Sequence, residues 1–597
     1  MRRSLATVFL TSVLVFSFLS VPLAPRGLAQ RKTRTQKATP VSLASQRGAD
    51  TITAAQLKDY LSFIASDEME GRDTPSRGLD TTARFLAMNL SRWGFKPAGD
   101  DGTYFQKIAL SRDLIDKAET RVQLNNQPLG LGDDYIPFVR PADVAASQMV
   151  FAGNGWFVKS KNIDAYKGID AKGKIAVIFG PPNGTPSGVR NSDLTGKRGE
   201  DWMNAGEYAQ KQGVAGIVIV PDFQYLANWD RNRSRMAERG VTRVDKFQPR
   251  AGAQIPQIVI SPRVANVLFQ GERQSAPAIF EAVYGGQLLE PFALNPDKKL
   301  SIAIKVKSDP AATQNVVAVF AGSDPVLKNE YVALGAHYDH VGVGIPVNGD
   351  AIYNGADDDG SGTTALLGIA EALAKATTRP KRSVLFVWHA GEEKGLWGSR
   401  YFTAYPTIPL DKIVTQINID MIGRSKKEGD TNPRNRELSG PNEIYVIGSK
   451  VMSTELGELT ESVNKQYLNV TYDYRYDDPG DPNRFFFRSD HYNYARKGIP
   501  IVFFFDGEHD DYHRPGDSPD KIDYQKMEKI VRTIYMTLWE VASRPSRPKV
   551  DKQLPAQLSG GSSSRTDQNK TKRGRAHLPD LEVFQIDLLL PGECLSI

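Results

Sequence analysis

The chain has one cysteine, Cys594, in 597 residues. That excludes an intrachain disulfide and any cysteine-based zinc site, so stability has to come from core packing or bound metal. Histidine is scarce too: of seven, six lie between His337 and His513, which fits a histidine-using site in that region. After the first thirty residues no apolar run approaches the ~20 residues that a membrane-spanning helix needs. Charge of one sign is also lacking. Lys+Arg (75) and Asp+Glu (69) nearly cancel to a net +6, so no polyanionic partner is indicated and nucleic acid is not expected.

What remains is an ordinary globular composition, 40% hydrophobic and 24% charged, in a chain long enough for more than one domain. Residues 1–29 carry Arg2 and Arg3, an apolar stretch from Leu5 to Leu19, and Gly27-Leu28-Ala29, the pattern of a cleaved signal peptide. The expected location is therefore the periplasm or the extracellular space, with no stable membrane insertion after cleavage. Residues 30–49 are polar and basic and are expected to form a disordered linker, and residues 546–597, with SGGSSSRTDQNKTKRGR at their centre, a low-complexity, disordered tail.

Between these ends the texture changes twice. Thr53 to Ile64 and Thr81 to Trp93 space their apolar residues as amphipathic helices do, and Gly94 suits the end of the second. From 130 to 291, short β-rich runs (QMVFAG, GKIAVIFGPP, AGIVIVPD, QIPQIVIS) alternate with Gly- and Pro-containing loops, which predicts a separate, mainly β module. Its basic stretch from Arg231 to Arg250 reads as a solvated loop. From 292 to 545 strands and helices alternate, so the fold class is α/β: a helix-flanked, largely parallel (mixed) central sheet. Residues 50–129 supply its first part, and the β module becomes an insertion whose ends lie close together.

In open α/β sheets ligands gather at the carboxyl ends of the strands. Four apolar runs here are followed by metal-binding residue types: ALGA by His337, LFVWHAG by Glu392 and Glu393, INI by Asp420, and IVFFF by a loop with His509 and His513. A mixed N/O set of this kind suits zinc, and its size suits two ions sharing a carboxylate. The run Asp357-Asp358-Asp359-Gly360 is not an EF-hand calcium loop, because the twelfth position from Asp357 is Gly368 rather than Glu. His340, His389 and His509 read as polar core or loop residues. Ser489, Asp490 and His491 are sequence neighbours, which cannot normally converge as a serine-hydrolase triad.

Together NGADDDGSG, HAGEEKGLWGS, INIDMIGR and DDYHRPGDSPDKI resemble the M28 family of zinc peptidases, most of whose members are aminopeptidases, and the β module resembles the protease-associated (PA) domain inserted in many of them. The resemblance implies a zinc-exopeptidase sheet, two Zn2+ per chain and peptide or protein amino termini as substrate. It matches His337 and Asp420 to the ligands of one zinc, Glu393 and His513 to those of the other, and Asp358 to the carboxylate shared by both. Asp339 would orient His337, Glu392 would be the general base toward a water shared by the ions, and Tyr512 would donate a hydrogen bond to the oxyanion. Within the family a carboxypeptidase would grip a substrate carboxylate with arginines, for which Arg424, Arg488 and Arg514 stand near. A glutaminyl cyclase would use one zinc, and a receptor-like relative would lack ligands. Asp490, Asp506 and Glu508 are the acids near enough in sequence to hold a free α-amino group.

Overall fold

The computed structural model describes residues 42–555, apart from 182–183, 187, 191–192 and 248–254, together with Leu558. The expected signal peptide and residues 559–597 lie outside the described residues.

A ten-stranded sheet organises the chain. From one edge its strands are Val241–Val244, Phe105–Ile115, Val306–Phe320, Ser383–His389, Tyr331–His337, Ile413–Ile419, Ile501–Phe505, Glu443–Ile447 and Thr471–Asp473, with Lys96–Pro97 beside Val306–Phe320. The four strands Ser383–His389, Tyr331–His337, Ile413–Ile419 and Ile501–Phe505 are mutually parallel, and antiparallel strands flank them. Their sequences (SVLFVWH, YVALGAH, IVTQINI, IVFFF) are continuous apolar runs rather than alternating ones because both faces are covered. On Ser383–His389, Val384, Phe386 and Trp388 pack toward the helices Ala54–Ile64, Arg77–Arg92, Gly362–Lys375, Thr454–Gln466 and Tyr524–Ser543, while Leu385 and Val387 join Phe402, Tyr492 and Tyr494 on the opposite face.

Local sequence explains the helix boundaries. Thr53 and Gln56 form a reciprocal capping box at the start of Ala54–Ile64, which then buries Leu57, Leu61 and Ile64. Ser76 caps Arg77–Arg92, and Gly94, at φ +74°, takes the left-handed conformation that ends it.

Three further sheets occupy the inserted region among the described residues, a small one of three strands (Phe157–Val158, Ile163–Asp164 and Trp202–Met203) and two larger ones. One has six strands with a parallel centre (Met149–Phe151, Ile175–Phe179, Gly216–Val220, Gln257–Ile260), and the other is a four-stranded antiparallel sheet. The latter pairs Arg121–Leu124 with Leu300–Ile304, so the strands of the inserted body begin and end outside 130–291. The long antiparallel ribbon of Phe105–Ile115 with Val306–Phe320 leads into it, and Val241–Val244 returns from it to the edge of the central sheet.

Among the described residues, parts of two stretches expected to be disordered, 42–49 and 546–555, are ordered. Leu43–Ala49 is a helix capped by Ser42, with Gly48 so close to Tyr535 that a Cβ there would lie 2.1 Å from the phenol oxygen. At the other end, Thr454 donates its N–H to Asp551, Lys549 donates its N–H to Glu455, and Leu558 is buried. In both cases a few apolar contacts outweigh a polar composition. Among the described residues no helix is long and apolar enough to cross a membrane.

Arg72 ties the first part of the fold to the loops that follow the central strands. Its buried guanidinium donates to the carbonyls of Tyr338, Ile64, Asn354 and Gly355 at 2.7–2.9 Å. Burial draws its pKa down to about 10 against the pull of Asp339 and Asp517. Arg72→Met would leave these carbonyls without donors, at ~1–3 kcal/mol for each buried group. The expected loss is at least ~3 kcal/mol of stability, read by denaturant unfolding.

Candidate metal centre

All four parallel strands deliver a side chain to one place at their carboxyl ends. His337 ends its strand, Glu392 and Glu393 follow the strand ending at His389, Asp420 follows Ile419, and His513 comes from the loop after Phe505. Asp358 enters from the loop before the helix Gly362–Lys375.

Two groups of potential ligands share Asp358: His337, Asp358 and Asp420; and His340, Asp358, Glu393 and His513. In the first, His337 Nε2 lies 3.2 Å from Asp358 Oδ1 and 3.6 Å from Asp420 Oδ1. In the second, His513 Nε2 lies 3.0 Å from Asp358 Oδ2 and 3.1 Å from Glu393 Oε2, and His340 Nδ1 is 2.9 Å from Glu393 Oε1. The two oxygens of Asp358 therefore face different histidines. All the expected ligands converge, and His340, expected in the core or a loop, stands among them. The only sequence signal for it is its place three residues after His337, in the same strand-end loop.

These are ion-pair distances between imidazole nitrogens and carboxylate oxygens. His337 Nε2, His340 Nδ1, His513 Nε2, Asp358 Oδ2 and Glu393 Oε1 are buried polar atoms without a hydrogen-bond partner. Leaving so many polar atoms unsatisfied in one place would be costly, and their convergence on a common centre is what an ion requires. Imidazole nitrogens with carboxylate oxygens form the donor set that zinc accepts. His337 is turned for this role: its Nδ1 donates to the main-chain carbonyl of Asp339 at 3.1 Å, which leaves the Nε2 lone pair toward Asp358 and Asp420. The Asp339 carboxylate, 3.7 Å from the same nitrogen, accepts the Glu392 N–H at 3.1 Å, so one acid positions both residues.

Supporting acids hold the loop of Asp358. Asp517 accepts the N–H groups of Asp357 and Asp358, and Asp359 accepts those of His337, Gly362 and Met421. Glu392 belongs to neither ligand group; its Oε2 stands 3.9 Å from His337 Nε2. Burial pushes its carboxyl well above the usual range, reinforced by Glu393, Asp420 and Asp490 although His337 opposes. Burial acts the same way on Glu393, but His513 and His340 overcome it and hold that carboxyl at about 2. The His513 imidazole, despite burial, is pushed up to about 10 by Glu393 and Asp358.

The metal-free chain therefore keeps a proton on His513 at neutral pH, and a cation must displace it to bind. Zinc loading at pH 7 is expected to release at least one proton per chain, measurable with an indicator dye. Apparent affinity should weaken about tenfold per pH unit, for each proton displaced, as pH falls.

Tyr512 stacks on His513 with ring centroids 4.0 Å apart, and Arg488 Nη2 is 3.4 Å from its hydroxyl. Burial holds the phenol well above its ordinary pKa, so it remains a donor. Arg488 also pairs with Glu508 at 2.6 Å, and Arg424 with Asp511 at 2.9 Å. Asp490 pairs with buried His389, at 3.1 Å, rather than with His491, whose Nε2 donates to the Phe486 carbonyl. Ser489 accepts from Asn418 and stands beside Asp420. The three neighbours thus point apart, and no triad forms.

A mixed sheet that brings two carboxylate-sharing groups of potential ligands to its parallel strand ends defines an α/β protein with a candidate metal centre. Residues 315–538 match the model of peptidase family M28. A probable leucine aminopeptidase 2 of Aspergillus oryzae is 31% identical over 239 residues, 38% of this chain and 44% of that protein. Aminopeptidase Y of Saccharomyces cerevisiae is 38% identical over 118 residues, 20% of this chain and 19% of that protein. The chain thus spans less than half the length of these relatives. Among solved structures, an aminopeptidase from Aneurinibacillus sp. strain AM-1 aligns over 85% of this chain and 98% of that one at 15% identity, with a TM-score of 0.49.

Proposed function

We propose that the chain is an exported exopeptidase that holds two zinc ions and removes amino-terminal residues from peptides. The observation that carries the reading is Asp358, whose Oδ1 faces His337 and whose Oδ2 faces His513, so that one carboxylate serves both ligand groups. His337 and Asp420 complete one group, Glu393 and His513 the other. The aminopeptidase names of the related proteins support the activity, and the amino-terminal sequence pattern supports export.

Bound zinc supplies Lewis-acid polarisation and lowers the pKa of water toward ~7. The remaining work falls to side chains. Glu392, raised in basicity by burial and neighbouring acids, accepts a proton and returns it to the leaving amine. Its main chain is fixed by Asp339. Tyr512 donates a hydrogen bond to the developing oxyanion, with Arg488 beside its hydroxyl.

An amino-terminal preference fits the surrounding charges. Asp490 and Asp506 are fully buried, the first paired with His389 and the second accepting the Arg424 N–H. Glu508 is the partly exposed one of the three acids; one of its oxygens pairs with Arg488 at 2.6 Å, and the other is assigned to the substrate's ammonium group. Digestion of paired peptides with free and acetylated amino termini tests this. Release of amino-terminal residues from the free peptides alone is expected, whereas turnover confined to blocked peptides, with loss of carboxyl-terminal residues, would reverse the assignment.

A further inference from the structure

The two ligand groups are unequal, and His340 makes them so. Its ring is fully buried, and its main-chain N–H is fixed on the Arg72 carbonyl at 3.1 Å. Nδ1 lies 2.9 Å from Glu393 Oε1 and 3.7 Å from Asp358 Oδ2, and the ring stands edge-on to His513, with centroids 5.5 Å apart and planes at 78°. A histidine that merely hydrogen-bonded Glu393 would aim its N–H at the carboxylate. At 2.9 Å this nitrogen is close enough, yet it has no hydrogen-bond partner. A position within reach of both is open to an ion, since ligand atoms of His340, Asp358, Glu393 and His513 all lie within 4.8 Å of one another.

The separations suit that position. Zinc bonds of about 2.0–2.1 Å in a tetrahedron place neighbouring donor atoms about 3.3 Å apart. In the second group His340 Nδ1 lies 2.9 Å from Glu393 Oε1 and 3.7 Å from Asp358 Oδ2, while His513 Nε2 lies 3.0 Å from Asp358 Oδ2 and 3.1 Å from the other Glu393 oxygen, Oε2, separations on either side of that value. The backbone also makes room for the ring. Gly355, at φ +59°, passes so close to His340 that a Cβ there would lie 2.4 Å from the ring Cγ and 2.5 Å from Cδ2. Only glycine lets the loop that carries Asp358 close over this imidazole.

We propose that His340 is a fourth protein ligand of the second metal ion, making that site a set of two histidines, an aspartate and a glutamate beside a three-ligand site of His337, Asp358 and Asp420. This rests on the reading that the centre holds zinc, and it adds an order of loading. An ion held by four protein donors is bound more tightly than one held by three, and zinc can still expand to five-coordinate to take a water. The His340 site therefore fills first and empties last, and the ion at the His337 site is the exchangeable one.

Zinc K-edge absorption on the parent protein, together with zinc titration against a competing chelator, tests the proposal without using activity. Fully loaded parent protein should show three imidazoles shared between two ions, and half-loaded protein two imidazoles on its single ion. His340→Ala should weaken the tighter site about 100-fold or more, leave the weaker one within about threefold, and remove one imidazole from the count. An imidazole count of two over both ions, or of one on the half-loaded protein, would overturn the assignment even if the variant failed to fold. So would a His340→Ala titration that overlays the parent's. A parent protein that takes up only one ion refutes the two-zinc reading but supports His340 if that ion carries two imidazoles. A parent that binds no zinc refutes both.

Discussion

Glu392→Gln is expected to lower kcat by about 10²–10⁴-fold, the usual contribution of a positioned general base, while zinc content stays at the parent level. The separation of the two readouts follows from geometry. Glu392 is absent from both ligand groups, although its Oε2 stands 3.9 Å from His337 Nε2. Its main-chain N–H, which the substitution preserves, is the part that Asp339 holds. Glutamine has the same shape and cannot accept the proton. Burial and the neighbouring Glu393, Asp420 and Asp490 raise the basicity of this carboxyl in the metal-free chain, and cations alongside would draw it back toward the working pH. Metal analysis and kinetics on one preparation check the result. Retention of activity within tenfold would transfer the base role to another residue.

Asp358→Ala should have the opposite signature, with both ions lost together. Asp358 belongs to both ligand groups and contributes one oxygen to each. Changes to outer-shell partners alone commonly cost 10–100-fold in metal affinity, so removing a shared ligand should weaken each ion by at least ~100-fold. The melting temperature should then no longer rise with added zinc, because stabilisation by a ligand scales with its occupancy of the native state. Equilibrium dialysis against zinc over a range of concentrations measures the first effect, and thermal unfolding with and without zinc the second. A variant that keeps one ion at parental affinity would show that the two groups do not share this carboxylate.

The legible parts of the fold were those in which one strong local pattern dominates. Continuous apolar runs such as SVLFVWH and IVFFF announced buried parallel strands, and the residues just beyond them announced the metal centre. The expected ligands His337, Asp358, Glu393, Asp420 and His513 meet at one place, because a parallel sheet aligns the ends of its strands. His340 was not separable from an ordinary polar histidine, since its role depends on the return of the loop through Gly355, a tertiary fact. Arg72 was equally silent: its four carbonyl partners lie in three separate segments. The helix Leu43–Ala49 was hidden by its polar composition, which does not register that Gly48 meets Tyr535 almost five hundred residues away. Asp339 was expected to serve His337 alone, and its bond to the Glu392 N–H depends on two loops whose approach composition does not encode.

The central claim is a pair of zinc ions on either side of Asp358. Anomalous diffraction at the zinc edge from crystals of the zinc-loaded protein tests it most directly. Two peaks about 3.5–4 Å apart, one beside His337 and Asp420 and the other beside Glu393 and His513, are the expected result. A single peak, or a pair lying away from Asp358, would contradict it.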